Sequence, residues 1–427
     1  MVVRKVLSIA LVLAYIVHLS SSQQMIQKKK VVVDIDKSLT KYLAKFYKVS
    51  NALIPSTVTF PTSGHFQHRL VEGQNNALAP LLDLYVLVLL YQVSDGSTKT
   101  DVHTLLNIPE DAEDGTMDKF EAKLRQYLEK FGLFGTKLFV DSTIKATPTE
   151  LRDKKFFSTD SIRFSQKDEF LRKINSWMTS MGMPNNAHFV HNFNFDDKTV
   201  SLILQVMSYR WKLPLAVSTT SKKFLGEEVR HLEGSLQGNY AAINQLGIQV
   251  LEQMPSNADV KLWLILPNSM VTFINKTFED NTISEISTNL KNKQQLVKIS
   301  IPQVKIEFNS EENAFIQSNF HVLTSMFSSP SIRLESNKEN KYPIKAFLAH
   351  CLFQFEEDNS AKVSNPTTLT LNFDKPFTIM VLTKDTNIPL LMANYFSVKD
   401  KMLAMEDEEQ LLAEQVAREA LESRADL

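Results

Sequence analysis

Cysteine and glycine are both scarce in this chain, and each scarcity excludes a class of site. Cys351 is the one cysteine among 427 residues, so the chain can form neither an internal disulfide nor a cysteine-based zinc cluster. Glycine occurs 11 times, about a third of the usual share of roughly 7%. Phosphate-cradling loops need glycine for close backbone approach, and neither a P-loop nor a G-x-G-x-x-G fingerprint is present. These two nucleotide-binding motifs are therefore excluded.

The chain also lacks an excess of charge of either sign. Lysine plus arginine number 47 and aspartate plus glutamate 48, which leaves a net charge of -1. Bulk electrostatics therefore predict no attraction to nucleic acid or to an anionic membrane. Hydrophobic residues make up 43% of the chain, close to the average for folded soluble proteins, so a large core is available.

Long apolar runs are missing as well. The run Val6–Val17 has about a dozen residues, whereas a membrane-spanning helix needs roughly 20. Two basic residues precede this run, and Ser20 and Ser22 follow it, which is the pattern of a signal peptide cleaved after Ser22. We therefore expect a signal peptide and a secreted, extracellular protein with no membrane span. The alternative is an uncleaved anchor.

Motifs that carry catalysis are also absent from the sequence. The chain has no G-x-S-x-G elbow and no H-E-x-x-H zinc motif. His65 with His68, and His188 with His191, could each share a helical face, but neither pair has a third ligand nearby in sequence, so structural roles are favoured. Cys351 lies in an apolar stretch and is predicted to be buried and inert. We predict no enzyme activity, no metal site and no cofactor.

Apolar periodicity predicts four helices in the first half of the chain. They lie at Asp34–Lys48, Leu81–Tyr91, Met117–Phe131 and in a stretch that opens after Ser165. The second is apolar all round and is therefore predicted to be buried. Ser165 and Asp168 resemble a capping box at the start of the fourth.

Strand patterns dominate the rest of the chain. They lie at Lys137–Ile144, Val200–Trp211, Val260–Leu266, Leu296–Phe308 and Ile379–Val398. Pro302 interrupts the fourth pattern and predicts a bend or an edge there. This mixture of helices and strands favours one large α+β domain.

The end of the chain differs in composition from the rest. Residues 406–427 carry eight acidic residues against two arginines, a local charge of about -6. We expect a signal peptide at residues 1–22, an N-terminal extension at 23–64 that can hold an extra helix, a main domain at 65–399, and an acidic, partly helical tail at 400–427. Asn275 begins a sequon and is the predicted glycosylation site.

Ordered blocks across Phe66–Val398 carry a resemblance to a known family. The most specific are Leu246-Gly247-Ile248-Gln249-Val250-Leu251-Glu252 and Leu262-Trp263-Leu264-Ile265-Leu266-Pro267-Asn268; others are Gln74 to Leu81, Leu89 to Thr98, Lys137 to Val140, Ile174 to Trp177, Ile301 to Glu307 and Asn372 to Phe377. Together these blocks resemble the serpins, the serine protease inhibitor family, and indicate a divergent member.

The resemblance implies an α+β serpin fold with three β-sheets, a shell of about eight or nine helices, and a reactive-centre loop before Asn372. In inhibitory serpins a serine protease cleaves this loop and is trapped as an acyl-enzyme while the loop inserts into the main sheet as a new strand. Insertion needs a hinge of small residues, a hydrogen-bond donor at each position and sufficient length.

The segment that the resemblance assigns to the reactive loop departs from this pattern. The hinge comprises Glu356, Glu357, Asp358, Asn359, Ser360 and Ala361, followed by Lys362 as the candidate bait residue. Asp358 stands where the family has glycine, and Asn359 where it has threonine or serine. Pro366 removes a ladder donor. From Asp358 to Leu371 there are 13 steps, at most roughly 43 Å, and inhibitory loops are several residues longer.

We therefore expect a secreted, monomeric serpin-family protein that has lost trapping inhibition and acts by binding a secreted protein or a small hydrophobic ligand. The alternative is an extracellular serine protease inhibitor with an atypical reactive loop. Two points stay open. Either Asp34–Lys48 or the stretch from Phe66 forms the first helix, and the sequence around Trp211 lacks residues that serpins have, which puts the opening point of the main sheet in doubt.

Overall fold

The structure is a computed structural model that describes residues 30–50, 75–144, 149–151, 154–183, 199–217, 221–255, 258–274, 279, 281–311, 332–334, 340–357 and 369–397. The helices of the described residues are α1 Ile35–Ser50, α2 Pro80–Gln92, α3 Ser97–Leu105, α4 Thr116–Leu128, α5 Lys167–Ser180, the single turn α6 Met270–Thr272, and α7 Thr282–Leu290, with a 3-10 turn at Thr149–Leu151. The strands are β1 Asn76–Leu78, β2 Leu133–Asp141, β3 Phe157–Ile162, β4 Ser201–Leu213, β5 Ala216–Val217, β6 Lys222–Phe224, β7 Glu227–Val229, β8 His231–Ile243, β9 Ile248–Gln253, β10 Val260–Pro267, β11 Gln294–Pro302, β12 Lys305–Glu311, β13 Ala346–Glu357, β14 Thr370–Asn372, β15 Phe377–Thr383 and β16 Pro389–Tyr395.

The strands form three sheets, which confirms the α+β architecture predicted from the sequence. A 9-stranded sheet has the order β1-β16-β15-β10-β9-β8-β11-β14, with β5 paired to β8. A 5-stranded sheet has the order β12-β13-β4-β2-β3, and β6 and β7 form a separate hairpin. One large hydrophobic core contains side chains from both large sheets and from helices α1, α2 and α4.

The first helix of the described residues is α1, close to the predicted Asp34–Lys48. Its apolar face, with Leu39, Leu43 and Phe46, is fully buried in the main core. The Tyr47 hydroxyl donates a hydrogen bond to Asn394 Oδ1 at 3.1 Å and lies 3.2 Å from Thr378 Oγ1, so α1 is tied to β16 and β15. This helix is therefore part of the main core. The stretch that begins at Phe66 lies outside the described residues.

Helix α2 is buried along nearly its whole length, as its apolar sequence predicts. It packs against α4 and β16. Asp83 is the one acidic residue of α2, and it is buried, 2% exposed, beneath the 5-stranded sheet. A charged side chain at such a position needs a polar partner, which the sheet supplies.

Helix α5 covers the opposite face of the 5-stranded sheet. Its buried residues Phe170, Leu171, Ile174 and Met178 pack against side chains of β2, β3, β4 and β13 in a second hydrophobic cluster. The predicted capping box is wrong, because the N-cap residue is Gln166 and no side chain caps it. Ser165 lies one residue too early, inside the turn that the Gln166 N–H closes onto the Arg163 carbonyl at 3.0 Å.

Two of the predicted strands are in fact pairs of strands. The pattern Leu296–Phe308 divides at Pro302, where β11 of the 9-stranded sheet ends; β12 begins at Lys305 in the other sheet. The proline therefore marks a change of sheet, since it cannot donate to a ladder. The pattern Ile379–Val398 is the hairpin of β15 and β16.

Candidate functional site

The candidate site is the joint between β4 and β13 in the 5-stranded sheet, where the resemblance noted in the sequence predicts that a reactive loop would insert. Here β4 and β13 are parallel neighbours, paired without interruption from Ala346↔Leu202 to Glu357↔Leu213. The joint is 12 residues long, about 36 Å at 3.3 Å per step. No strand lies between β4 and β13 in the described residues, so the joint is closed. We call this pairing the seam.

Both faces of the seam are apolar over most of its length. On one face Met207, Cys351 and Phe353 belong to the main core. On the other, Val206 and Leu352 lie in the cluster beneath α5. Successive side chains of a strand point to opposite faces of the sheet, so β4 and β13 bury apolar side chains on both faces. A strand that entered the seam would therefore have to place apolar side chains on both of its faces.

The upper end of the seam, where β13 ends, is the most polar part of it. Arg210 on β4 faces Glu356 on β13 across the joint, with an N–O distance of 3.4 Å and about half of the Arg210 side chain exposed. Trp211 is buried, and its indole N–H donates to Gln253 Oε1 on β9 at 2.8 Å. Trp211, near which the sequence lacks residues that serpins have, thus anchors this end of β4 to the 9-stranded sheet.

A set of buried, hydrogen-bonded polar side chains lies beneath the middle of the seam. The Gln205 amide of β4 donates to the Asp83 carboxylate of α2, and its carbonyl accepts from Thr136 Oγ1 of β2 at 3.5 Å. A small cavity lies beside these side chains, lined also by Ala349 and Cys351 of β13, and it has room for about one water molecule. These contacts attach α2 to β4.

His350 of β13 lies on the α5 side of the sheet, 1% exposed. Its Nδ1 is hydrogen-bonded to Asn309 Oδ1 of the neighbouring strand β12, and its Nε2 lies 3.5 Å from Glu307 Oε1. Burial lowers the pKa of His350 to about 4. The imidazole is therefore neutral at physiological pH.

The chain returns from the seam to the other large sheet at β14. The Leu369 carbonyl accepts from the Lys298 N–H at 3.0 Å, and β14 pairs in parallel with β11 from Lys298↔Thr370 to Ser300↔Asn372. Glu357 and Leu369, the described residues that flank positions 358–368, are therefore attached to different sheets.

The structure places only part of the predicted hinge. Glu356 and Glu357 are the last residues of β13. The other hinge residues, Asp358, Asn359, Ser360 and Ala361, and the bait residue Lys362, lie outside the described residues. Their roles stay predictions.

The other predicted features divide in the same way. Cys351 is buried, as predicted. Asn275, both histidine pairs, residues 1–22 and the acidic tail lie outside the described residues. Within the described ranges, no cluster of three or more His, Cys, Asp or Glu residues could hold a metal ion. None of the helices there combines the length and apolar composition that crossing a membrane requires.

The sequence did not single out the polar residues that lie along the seam. Gln205 and His350 each interrupt an otherwise apolar strand pattern, which is a usable signal because a polar residue in a doubly buried strand needs a partner. Their partners, Asp83 and Asn309, come from distant parts of the chain, and no sequence pattern identifies them.

Comparison with known proteins agrees with this architecture. The model of the family Serpin (serine protease inhibitor) matches residues 64–398. The structure of SRPN18 from Anopheles gambiae superposes with a TM-score of 0.68 at 11% identity, covering 86% of this chain and 99% of that one. Uncleaved ovalbumin superposes with a TM-score of 0.67 at 15% identity, covering 86% of this chain and 100% of its own.

A further similar structure is thyroxine-binding globulin in complex with thyroxine, with a TM-score of 0.67, 13% identity, and coverage of 85% of this chain and 98% of that chain. No curated protein sequence matches the chain. The low identities restrict what these structures show to the fold. The family model covers most of the chain, and we conclude that this protein is a member of the serpin family.

Proposed function

We propose that this chain is a secreted serpin-family protein that does not trap proteases and acts by binding another secreted protein or a small ligand. The observation that carries the proposal is a mismatch of lengths. The seam is 12 residues long, and the segment between Glu357 and Leu369 has only the eleven residues 358–368. An inserted strand must also reverse direction after Glu357, which takes at least two residues.

This limit holds wherever a protease cuts. Cleavage just before Leu369 would release nine residues for the strand after the turn, and cleavage after Lys362 would release five in all, about 17 Å. Neither can pair along the whole of the seam. A protease attached to the cut end would therefore stop short of the far end of the sheet.

The chemistry of the segment argues in the same direction. The seam is buried on both faces around Leu352 and Phe353, so insertion would carry polar residues such as Asn365 into an apolar site at an unfavourable free energy. Pro366 has no backbone N–H, so it could not donate a ladder hydrogen bond to β4 or to β13. Asp358 lacks the conformational freedom of the glycine that the family has at its position.

If the loop cannot insert as a strand, the function that we propose for the chain is binding. The similarity to a thyroxine-binding globulin shows that the serpin fold can present a binding site for a small molecule. The signal sequence at residues 1–22 and the sequon at Asn275 support an extracellular, glycosylated protein. The near-zero net charge of -1 argues against nucleic acid as the partner. We infer a monomer that is not an enzyme.

The test is a search for a covalent complex. The purified protein is mixed with trypsin-, chymotrypsin- and elastase-like proteases, and the products are separated on SDS gels. We expect cleavage without any SDS-resistant band at the summed mass. One stable covalent band with an active protease would refute the proposal.

A matched pair of variants separates length from hinge chemistry. Asp358→Gly/Asn359→Thr/Pro366→Ala restores the hinge at the original length, and we expect no covalent complex from it. The same triple variant lengthened by nine small residues before Lys362 releases 14 residues on cleavage after that lysine, two for the turn and 12 to fill the seam. If the short triple variant already formed the complex, length would not be the limiting property.

The second candidate is an extracellular serine protease inhibitor with an atypical loop. The closed seam between β4 and β13, with no strand between them in the described part of the chain, favours it, because an inhibitor must hold this arrangement before it is cleaved. A covalent complex with one protease class would establish this alternative.

A further inference from the structure

Three strands of the 9-stranded sheet meet at Ser300. On one side Ser300 lies opposite Glu233 in the antiparallel pair of β11 and β8. On the other, its carbonyl accepts from the Phe373 N–H at 2.8 Å, and it lies beside Asn372 in the parallel pair of β11 and β14. Ser300 is 5% exposed. Ser300 therefore contacts both β8 and β14.

The Ser300 side chain joins a histidine to a carboxylate. Ser300 Oγ donates to Glu233 Oε1 at 3.3 Å and lies 2.9 Å from His231 Nδ1. Because serine has one hydroxyl hydrogen, this donation leaves Oγ to accept a hydrogen bond from His231 Nδ1–H. The imidazole is then the Nδ1–H tautomer, and Nε2 carries a lone pair.

The surroundings of His231 Nε2 make protonation of this nitrogen unfavourable. His231 is 2% exposed, and its Nε2 has no hydrogen-bond partner among the described residues. Protonation would place a second N–H and a positive charge there, and a buried donor without an acceptor is unfavourable.

Charged groups surround this histidine on three elements. Lys222 of β6 forms an ion pair with Glu233 of β8, and Asp374 follows β14. Burial and Lys222 lower the pKa of His231, while Glu233 and Asp374 oppose them and raise it. The net direction is downward from the ordinary value, so the imidazole is neutral at pH 7.4.

We propose that His231, Ser300 and Glu233 form an acid-sensitive latch that holds β14 on β11. When His231 is protonated, the new proton binds at Nε2, where no described residue accepts a hydrogen bond, while Nδ1–H continues to donate to Ser300. The charge is stabilised when Nε2 reaches water. The three-residue edge strand β14, which ends shortly before Asp374, is the smallest element whose separation from β11 would open this site. The latch does not depend on whether the chain traps proteases.

Hydrogen exchange of the full chain at pH 7.5 and pH 5.0, corrected for the intrinsic effect of pH on exchange, tests the latch. We expect the backbone amides of Leu371 to Phe373 to lose at least about tenfold in protection at pH 5.0. His231→Gln, which cannot be protonated, abolishes this loss. His350→Gln is the matched control: it removes a buried histidine in the other sheet and leaves the loss at β14 unchanged.

The outcomes are separable. Equal protection at both pH values in the wild-type chain would overturn the latch, and so would an undiminished loss in His231→Gln. If His231→Gln does not fold, His231→Met makes the same comparison with an apolar side chain. A loss of protection that spread equally to β15 and β16 would indicate general acid unfolding and would also contradict the latch.

Discussion

The two large sheets differ in how their central strands are joined. In the 9-stranded sheet, β8, β9 and β10 are consecutive antiparallel neighbours, as are β15 and β16. In the 5-stranded sheet, the seam joins β4 and β13, which are parallel and far apart in the chain. Turns within the chain join the consecutive strands of the first arrangement, whereas no turn joins β4 directly to β13, since many other elements lie between them in the chain.

This difference affects how readily neighbouring strands in the middle of each sheet can separate. Separation of β4 from β13 breaks no hairpin. Separation of β9 from β10 would have to undo consecutive strands. We propose that the residues that would supply an inserted strand are too few in this chain, because only residues 358–368 separate Glu357 from Leu369 and the seam is 12 residues long.

The largest expected effect comes from the apolar packing that holds the seam. Phe353 is fully buried and stacks on Tyr209 of β4, with ring centroids 6.3 Å apart. Phe353→Ala should lower the free energy of unfolding by about 3–5 kcal/mol, because it leaves a cavity in a packed core. Denaturant unfolding measures this change in the free energy of unfolding. Leu225→Ala, at a residue 59% exposed, is the control and should change it by less than about 0.5 kcal/mol.

The 9-stranded sheet contains a buried ion pair, whose contribution to stability can be compared with that of the apolar packing at the seam. Lys261 Nζ lies 2.8 Å from Glu252 Oε2, and Trp263 Nε1 and Asn239 Nδ2 donate to the same carboxylate. Lys261→Met should lower the free energy of unfolding by about 3 kcal/mol, because it leaves a buried charge without its partner. Glu252→Gln/Lys261→Met should recover most of this loss. Equal losses in the single and double variants would contradict this explanation.

The pH dependence of stability tests the seam itself. Burial lowers the pKa of His350 from an ordinary value of 6.5 to about 4, so the folded state binds this proton less readily than the unfolded state. Stability from this group is present above pH 6.5 and is lost as the pH falls toward 4, by roughly 2 kcal/mol at pH 5. His350→Gln should flatten the loss between pH 6.5 and pH 5. A loss of the same size in the variant would assign it to other groups.

The smallest effect is expected at the exposed end of the seam. Arg210→Ala removes the ion pair with Glu356, in which the arginine side chain is 53% exposed. Because solvent screens such a pair, the free energy of unfolding should fall by less than about 1 kcal/mol. Urea unfolding at low and high salt measures the change. A loss above about 2 kcal/mol would show that this pair, and not the apolar faces, holds the seam closed.

The elements that could be predicted from the sequence are those with a clear local period. Helix α2 and strand β10 are apolar enough to identify directly, and α4 follows from its spacing. The seam could not be predicted by the same means, because its register joins Ala346 to Leu202 and no local pattern specifies a parallel pairing over such a separation. Pro302 predicted a bend, but its meaning, a change of sheet, depends on tertiary structure.

The candidate site was predicted in part for the same reason. The hinge stays a prediction, made from the resemblance of Glu356 and Glu357 to the acidic start of the family's loop; the structure shows only that these two residues end β13. The contacts of Gln205 with Asp83, and of His350 with Asn309, depend on which elements pack together. Their only local sign is a polar residue in an apolar strand, and that sign does not name the partner.

The most direct test of the central claim is the melting temperature of the protein before and after cleavage within residues 358–368, with trypsin cutting at Lys362. The account predicts that the melting temperature stays the same or falls, because five released residues cannot complete a joint of 12. A rise of about 10 °C or more after cleavage would mean that the cut segment had entered the seam as a strand, and would contradict the account.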